Sequence, residues 1–212
     1  MGKLLQGING PFSGKVGPVV GYMLNNQAVI RSLPGRSKKP LTPKQLHQRK
    51  KFALMNDFLG QLTFLLNITY ANVAVNMTGS NKAFSYNVMN AIRGFYPDIS
   101  IDYNMVKLGR GDLPNVESAN TNPLPDGKLE FTWTDNSGTG KAKATDKAFA
   151  AVYNEELNNW EYDLNLSTRG AGRCVIDVPL LKGKPVHGYL GFITEDGKDV
   201  TDTLYSGEIN LL

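Results

Sequence analysis

The sequence predicts an α+β protein: an N-terminal β-hairpin arm, a helical segment, and an antiparallel β-sandwich in which the chain ends. Three observations lead there. An apolar, Gly- and Pro-punctuated run turns back at Asn25-Asn26, a helix-period pattern opens at Thr42-Pro43, and short alternating runs separated by turn residues fill residues 95–212. The expected division is 1–41 for the arm, 42–112 for the helical segment and 113–212 for the sandwich.

In the arm, Val16 to Leu24 is apolar and partly β-branched, Asn25-Asn26 suits the positive-φ positions of a tight turn, and Gln27 to Leu33 returns as a second strand. Pro18 makes the first run an edge strand or one that begins late. A lone hairpin is marginal in water and needs something to pack on or join. Its tail, Pro34 to Pro40, is basic and expected to be extended.

Thr42-Pro43 reads as an N-cap followed by Pro at the first helical position. Leu46, Met55, Leu59, Leu62 and Leu66 fall near one face of the helix that follows. Ile68–Met77 reads equally as strand or continued helix. A second helix is expected after Ser80, running through Phe84, Val88 and Ile92 to a terminating Gly94.

Beyond it, Leu129/Phe131/Trp133 alternate with Glu130/Thr132/Thr134, and Trp160/Tyr162/Leu164/Leu166 with Glu161/Asp163/Asn165. Further strands are expected at Phe149–Asn154, Arg173–Leu181, Val186–Thr194 and Leu204–Leu211. Pro125-Asp126-Gly127, Asn136-Ser137-Gly138, Lys182-Gly183-Lys184 and Glu195-Asp196-Gly197 supply the turns. Strands at this spacing predict an immunoglobulin- or fibronectin-like sandwich, here without paired cysteines. The expected seam lies between Leu108 and Pro123.

The 212 residues carry a formal net charge of +4, which conceals a division. Residues 1–97 hold 12 basic side chains against 1 acidic (+11), and residues 98–212 hold 11 against 18 (−7). Arg31 to Lys51 contains eight cations and no acid. No apolar run reaches the ~18 residues of a membrane span, and the N-terminus has no apolar core of a secretory signal. Cytoplasmic synthesis is expected, with release in a virion-like assembly compatible.

The segments GINGPFSGKVGPVVGY, VIRSLP and LTPKQLHQRKKF resemble an uncharacterised bacterial domain-of-unknown-function family. Its members open on a similar FSGKVG-VVGY stretch and a T-x-x-Q-x-x-x-R-x-x-F helix start. Here these match Phe12 to Tyr22, and Thr42, Gln45, Arg49 and Phe52. Tyr86–Asn90, Ile101-Asp102-Tyr103, Gly188–Phe192 and Asp202–Gly207 extend the likeness along nearly the whole chain. The resemblance implies no activity and no catalytic residue. A looser similarity links the arm, helix start and immunoglobulin-like appendage to phage-like structural proteins.

Motifs for chemistry are weak. His47 and His187 are the only histidines, and neither lies within four residues of Cys174, whose alternating run predicts a buried strand thiol. Gly138-Thr139-Gly140-Lys141 lacks the flanking Gly and the Ser/Thr of a phosphate loop and reads as a turn. Asp196, Asp199 and Asp202 lack a calcium-loop pattern. Arg110-Gly111-Asp112 is too short to carry weight.

The expected function is therefore a non-enzymatic, self-assembling structural protein (a filament, tube or virion-like assembly) whose partner is other copies of itself. Val19, Val20, Tyr22, Val29 and Ile30 would line the β contact. Arg36, Lys38, Lys39, Arg49 and Lys50 would supply charge pairing with the acidic part of a neighbour. The alternative is a nucleic-acid-binding protein touching phosphates through residues 31–51, for which interleaved aromatics are missing from the segment. No catalytic residue, metal, cofactor or membrane contact is expected. A hydrolase cleft has no motif behind it.

Overall fold

The arm forms a small sheet and not a single hairpin. In the computed structural model, which describes residues 2–4, 7, 10–24, 26–35 and 39–212, strands β1 (Lys3–Leu4), β2 (Phe12–Val16), β3 (Val19–Leu24) and β4 (Gln27–Ser32) pair in that order. All three pairings are antiparallel. The expected strand Val16–Leu24 is thus split. Pro18 lacks an N–H and sits in the turn between β2 and β3, while its carbonyl accepts from Leu33 N–H at 2.8 Å. Asn25, predicted for the next turn, lies outside the described residues, as do Arg36 and Lys38.

Contacts divide the chain into two compact units, Met1–Thr42 and Pro43–Leu212. The second begins with α1 (Pro43–Leu59), started by proline as expected. A 3-10 turn over Gly60–Leu62 leads into α2 (Thr63–Thr69). The ambiguous stretch after Ile68 ends the helix and continues as a 3-10 turn over Ala71–Val73. Met55, Phe58, Leu59, Leu62, Leu65 and Leu66 form the buried face of this run.

Helix α3 (Gly79–Asn90) starts earlier than expected, because Thr78 caps it by accepting from Asn81 N–H at 3.2 Å. It also ends earlier. Ile92 and Gly94 belong to β5 (Ile92–Phe95), which pairs with β6 (Asp98–Ile101). Gly94 is not a helix terminator but a strand residue at φ +80°, where a Cβ would strike the Asp98 carbonyl oxygen.

Seven strands follow. β7 (Glu117–Leu124), β8 (Lys128–Thr134) and β11 (Arg173–Asp177) form one antiparallel sheet in the order β11-β8-β7. β9 (Lys147–Asn154), β10 (Asn159–Thr168), β12 (Pro185–Ile193) and β13 (Leu204–Asn210) form another, ordered β10-β9-β12-β13. The expected strand to Leu181 stops at Asp177, and Pro179–Leu181 is a 3-10 turn. The fold is α+β, mostly β, in several antiparallel sheets.

Strands β9 and β12 are buried at almost every position, not at alternate ones. The cause is cover on both faces. Ala148, Ala150 and Val152 of β9 join Leu129, Phe131, Cys174 and Ile176 of the three-stranded sheet in one core. The intervening Phe149, Ala151 and Tyr153 join Phe58, Leu62 and Leu66 of the helices in a second core. The helical segment and the strands after it therefore share buried side chains.

Polar bonds lock the same layers. Asn87 on α3 exchanges hydrogen bonds with Lys107: its Nδ2 donates to the Lys107 carbonyl and its Oδ1 accepts from Lys107 N–H, both at 2.9 Å. Thr203 Oγ1, just before β13, accepts from Leu108 N–H at 2.8 Å. The expected seam thus begins at Leu108, whose carbonyl accepts from Thr69 Oγ1 of α2 and whose N–H donates to the residue before β13.

Candidate interaction surfaces

The sheet of the first unit has two chemically different faces. Register places Gly14 opposite Gly21 and Val16 opposite Val19, then Val19, Gly21 and Met23 opposite Ser32, Ile30 and Ala28. Because side chains alternate along a strand, Val16, Val19, Met23, Ala28 and Ile30 share one face, and it carries no charge. Phe12 closes over this face. A Cβ on Gly21 would strike the Phe12 carbonyl oxygen and lie 2.9 Å from its ring, so only glycine fits beneath it.

The other face is basic. Lys15, Val20 and Arg31 stand in a row across β2, β3 and β4, and Tyr22 stands opposite Val29. The Arg31 guanidinium lies 5.5 Å from the centre of the Tyr22 ring, a cation–π contact.

Five residues expected to line one contact are therefore divided. Val19 and Ile30 lie on the apolar face; Val20, Tyr22 and Val29 lie on the basic one. Sequence reasoning missed Phe12, Val16, Met23 and Ala28, whose membership needs the three-strand register. Of the expected charge-pairing residues, Lys39 is exposed beyond β4, and Arg49 and Lys50 are exposed on α1.

This unit has almost no interior. Among its described residues Gly21 alone is buried, while Ile30 is 62% exposed, Met23 49% and Val16 48%. The uncharged face is thus left to water.

The groups weighed for chemistry have structural duties. Cys174 is buried, and desolvation pushes its thiol up to about 12, far from thiolate reactivity. Asp196 accepts from Thr194 Oγ1 at 2.7 Å, Asp199 faces Lys141 at 3.5 Å, and Asp202 accepts from Gly111 N–H at 3.3 Å. The three carboxylates thus serve separate partners. Arg110 lies over the Tyr86 ring at 4.5 Å. Among the described residues no three His, Cys, Asp or Glu side chains converge as a metal site. No helix of the described residues is long and apolar enough to cross a membrane.

His187 lies in the core between helices and strands, stacked on Tyr103 with ring centres 3.8 Å apart and hydrogen-bonded to Tyr205 Oη at 2.9 Å. Desolvation lowers its pKa, while the nearby Glu208 and Glu155 carboxylates pull the other way. The unfolded chain therefore takes up the proton first. Stability is expected to be full above about pH 6.5 and to drain as pH falls through the window below it. Thermal midpoints from pH 8 to 5 check this, and His187→Gln should flatten the decline.

Comparison with known proteins adds a family. The model of one described as Family of unknown function (DUF6266) matches residues 11–207. No curated protein matches the chain.

Proposed function

Since the chain belongs to this family, whose description assigns no activity, we propose from its own surfaces that it is a non-enzymatic structural protein that assembles with copies of itself. The carrying observation is the N-terminal sheet, whose uncharged face is left to water. Burying a side chain such as Ile30 is worth ~1.5–3 kcal/mol, so a set of them on one face rewards a partner that covers it. A second copy brings the same face, and two such sheets can pack apolar side to apolar side.

Among the described residues β4 ends the sheet, and its outer edge offers further backbone groups for the same assembly. Lys15 and Arg31 stay on the outer face, where they meet the acidic residues of a neighbour. Cytoplasmic synthesis and a filament, tube or virion-like end state belong to this reading.

We read the seven later strands as a sandwich of fibronectin type that serves as an interaction module. Two features support it. Both sheets feed one common core, and the chain crosses between them after β8, β10 and β11, the crossings of a Greek key.

The test uses the full chain. Ile30→Asp puts a carboxylate on the apolar face and should weaken self-association at least about tenfold by analytical ultracentrifugation. Ile30→Leu should retain assembly, and so should Val20→Lys on the opposite face. A wild-type chain that sediments as a monomer at high concentration, or an Ile30→Asp chain that assembles unchanged, defeats the proposal.

A further inference from the structure

The basic start of α1 has aromatic neighbours that its own sequence lacks. The β5–β6 hairpin brings its tip to His47: Tyr96 N–H donates to His47 Nδ1 at 3.2 Å, and the Phe95 ring stacks on the imidazole at 5.9 Å and 28°. Phe95 is nevertheless 85% exposed, so the ring is open to a further planar group. Tyr96 beside it is also exposed.

At 100° per residue, Lys44, Lys50 and Lys51 fall within about 60° of His47 on the helix surface. Among the described residues none of these lysines makes an ion pair. The nearest competing charges are few. Asp98 stands opposite Phe95 in the hairpin, and Asp102 is taken by Arg93.

We infer that the Phe95 ring and the lysines of α1 form a binding site for single-stranded nucleic acid. An exposed ring held flat beside an imidazole is a stacking platform for an unpaired base, and three cations about one helical turn to either side of His47 track the phosphates. A duplex hides its base faces and would engage only the lysines. A lipid surface rewards inserted aliphatic bulk, whereas this tip presents two rings, one of them stacked. The site lies wholly within the second unit and is independent of the assembly surface.

The experiment is fluorescence anisotropy of the full chain with a dye-labelled oligo(dT) of about 20 nucleotides across a salt series. Phe95→Ala should weaken binding about tenfold and leave the salt slope unchanged, because stacking releases no counterions. Replacing Lys44, Lys50 and Lys51 together by Ala should lower the log–log slope by about 2, at roughly 0.7 per single-strand phosphate contact. Phe95→Trp should bind normally, with its fluorescence quenched by the base. Phe95, Lys44 and Lys50 are exposed and Lys51 is half-buried, so all variants are expected to fold, which circular dichroism verifies.

No binding at low salt overturns the inference. So does wild-type affinity in Phe95→Ala, which would move the contact elsewhere. Capture by phosphatidylserine vesicles without oligonucleotide binding would assign the tip to a membrane and equally overturn it.

Discussion

Asp146→Ala is expected to destabilise the second unit by ~3–5 kcal/mol, because it leaves a buried guanidinium without its counter-charge. Both side chains are fully buried, with Arg169 Nε 3.0 Å from Asp146 Oδ2. Arg169 Nη1 also donates to Asn136 Oδ1 at 2.7 Å, and its guanidinium lies 4.5 Å from the centre of the Phe192 ring. Asp146 Oδ2 accepts a further bond from Lys143 N–H at 2.9 Å.

The pair therefore ties the loop before β9 to the end of β10. Two atoms, Asp146 Oδ1 and Arg169 Nη2, have no partner among the described residues, so the pair is already imperfectly compensated. Combining Asp146→Leu with Arg169→Met should accordingly recover most of the loss, since an apolar pair of similar volume avoids burying charge. Urea midpoints of the wild type and the two variants check both statements. A single-variant loss below about 1 kcal/mol would show that the pair does not clamp the fold.

Phe58→Ala should cost ~3–5 kcal/mol and lower the thermal midpoint by roughly 6–20 °C. Its ring packs edge-on to Tyr153 at 4.8 Å and to Trp160 at 5.0 Å, and its carbonyl accepts from Trp160 Nε1 at 2.7 Å. The residue belongs to α1, yet its partners belong to β9 and β10. One cooperative transition of residues 43–212 should move as a whole, followed by tryptophan fluorescence and far-ultraviolet circular dichroism. Two transitions, of which the variant shifts only one, would show that helices and strands unfold separately.

Much of this architecture is legible without coordinates. Period-2 alternation locates Leu129–Trp133 and Trp160–Leu166, and the Thr42-Pro43 pair marks where α1 begins. These signals are local, because the side chain and backbone that produce them are neighbours in the chain. Glu117–Leu124 escapes such a reading, since ESANTNPL is polar and contains proline. It is a strand because β8 offers it a ladder. Ile92 to Gly94 likewise leaves the helix to pair with Ile99 to Ile101.

The surfaces are less legible still. That the arm is apolar, basic and glycine-rich can be read from its residues, and so can the charge division at about residue 97. Which side chains share a face cannot: Val19 and Val20 are adjacent in sequence and opposite in space, and only the register decides. Nor can the aromatic company of the lysines on α1, because Phe95 reaches His47 across 47 intervening positions of sequence.

By itself, then, the sequence determined the α+β class, the principal strands and the basic, glycine-rich arm, through patterns each short enough to act along one strand or helix. The tertiary structure decided the two faces of that arm, the Asp146–Arg169 pair, the doubly covered β9 and β12, and the stacking tip. Each of these depends on what lies across a strand pair or a core, and a side chain's surroundings are set by those distant partners once the chain has folded.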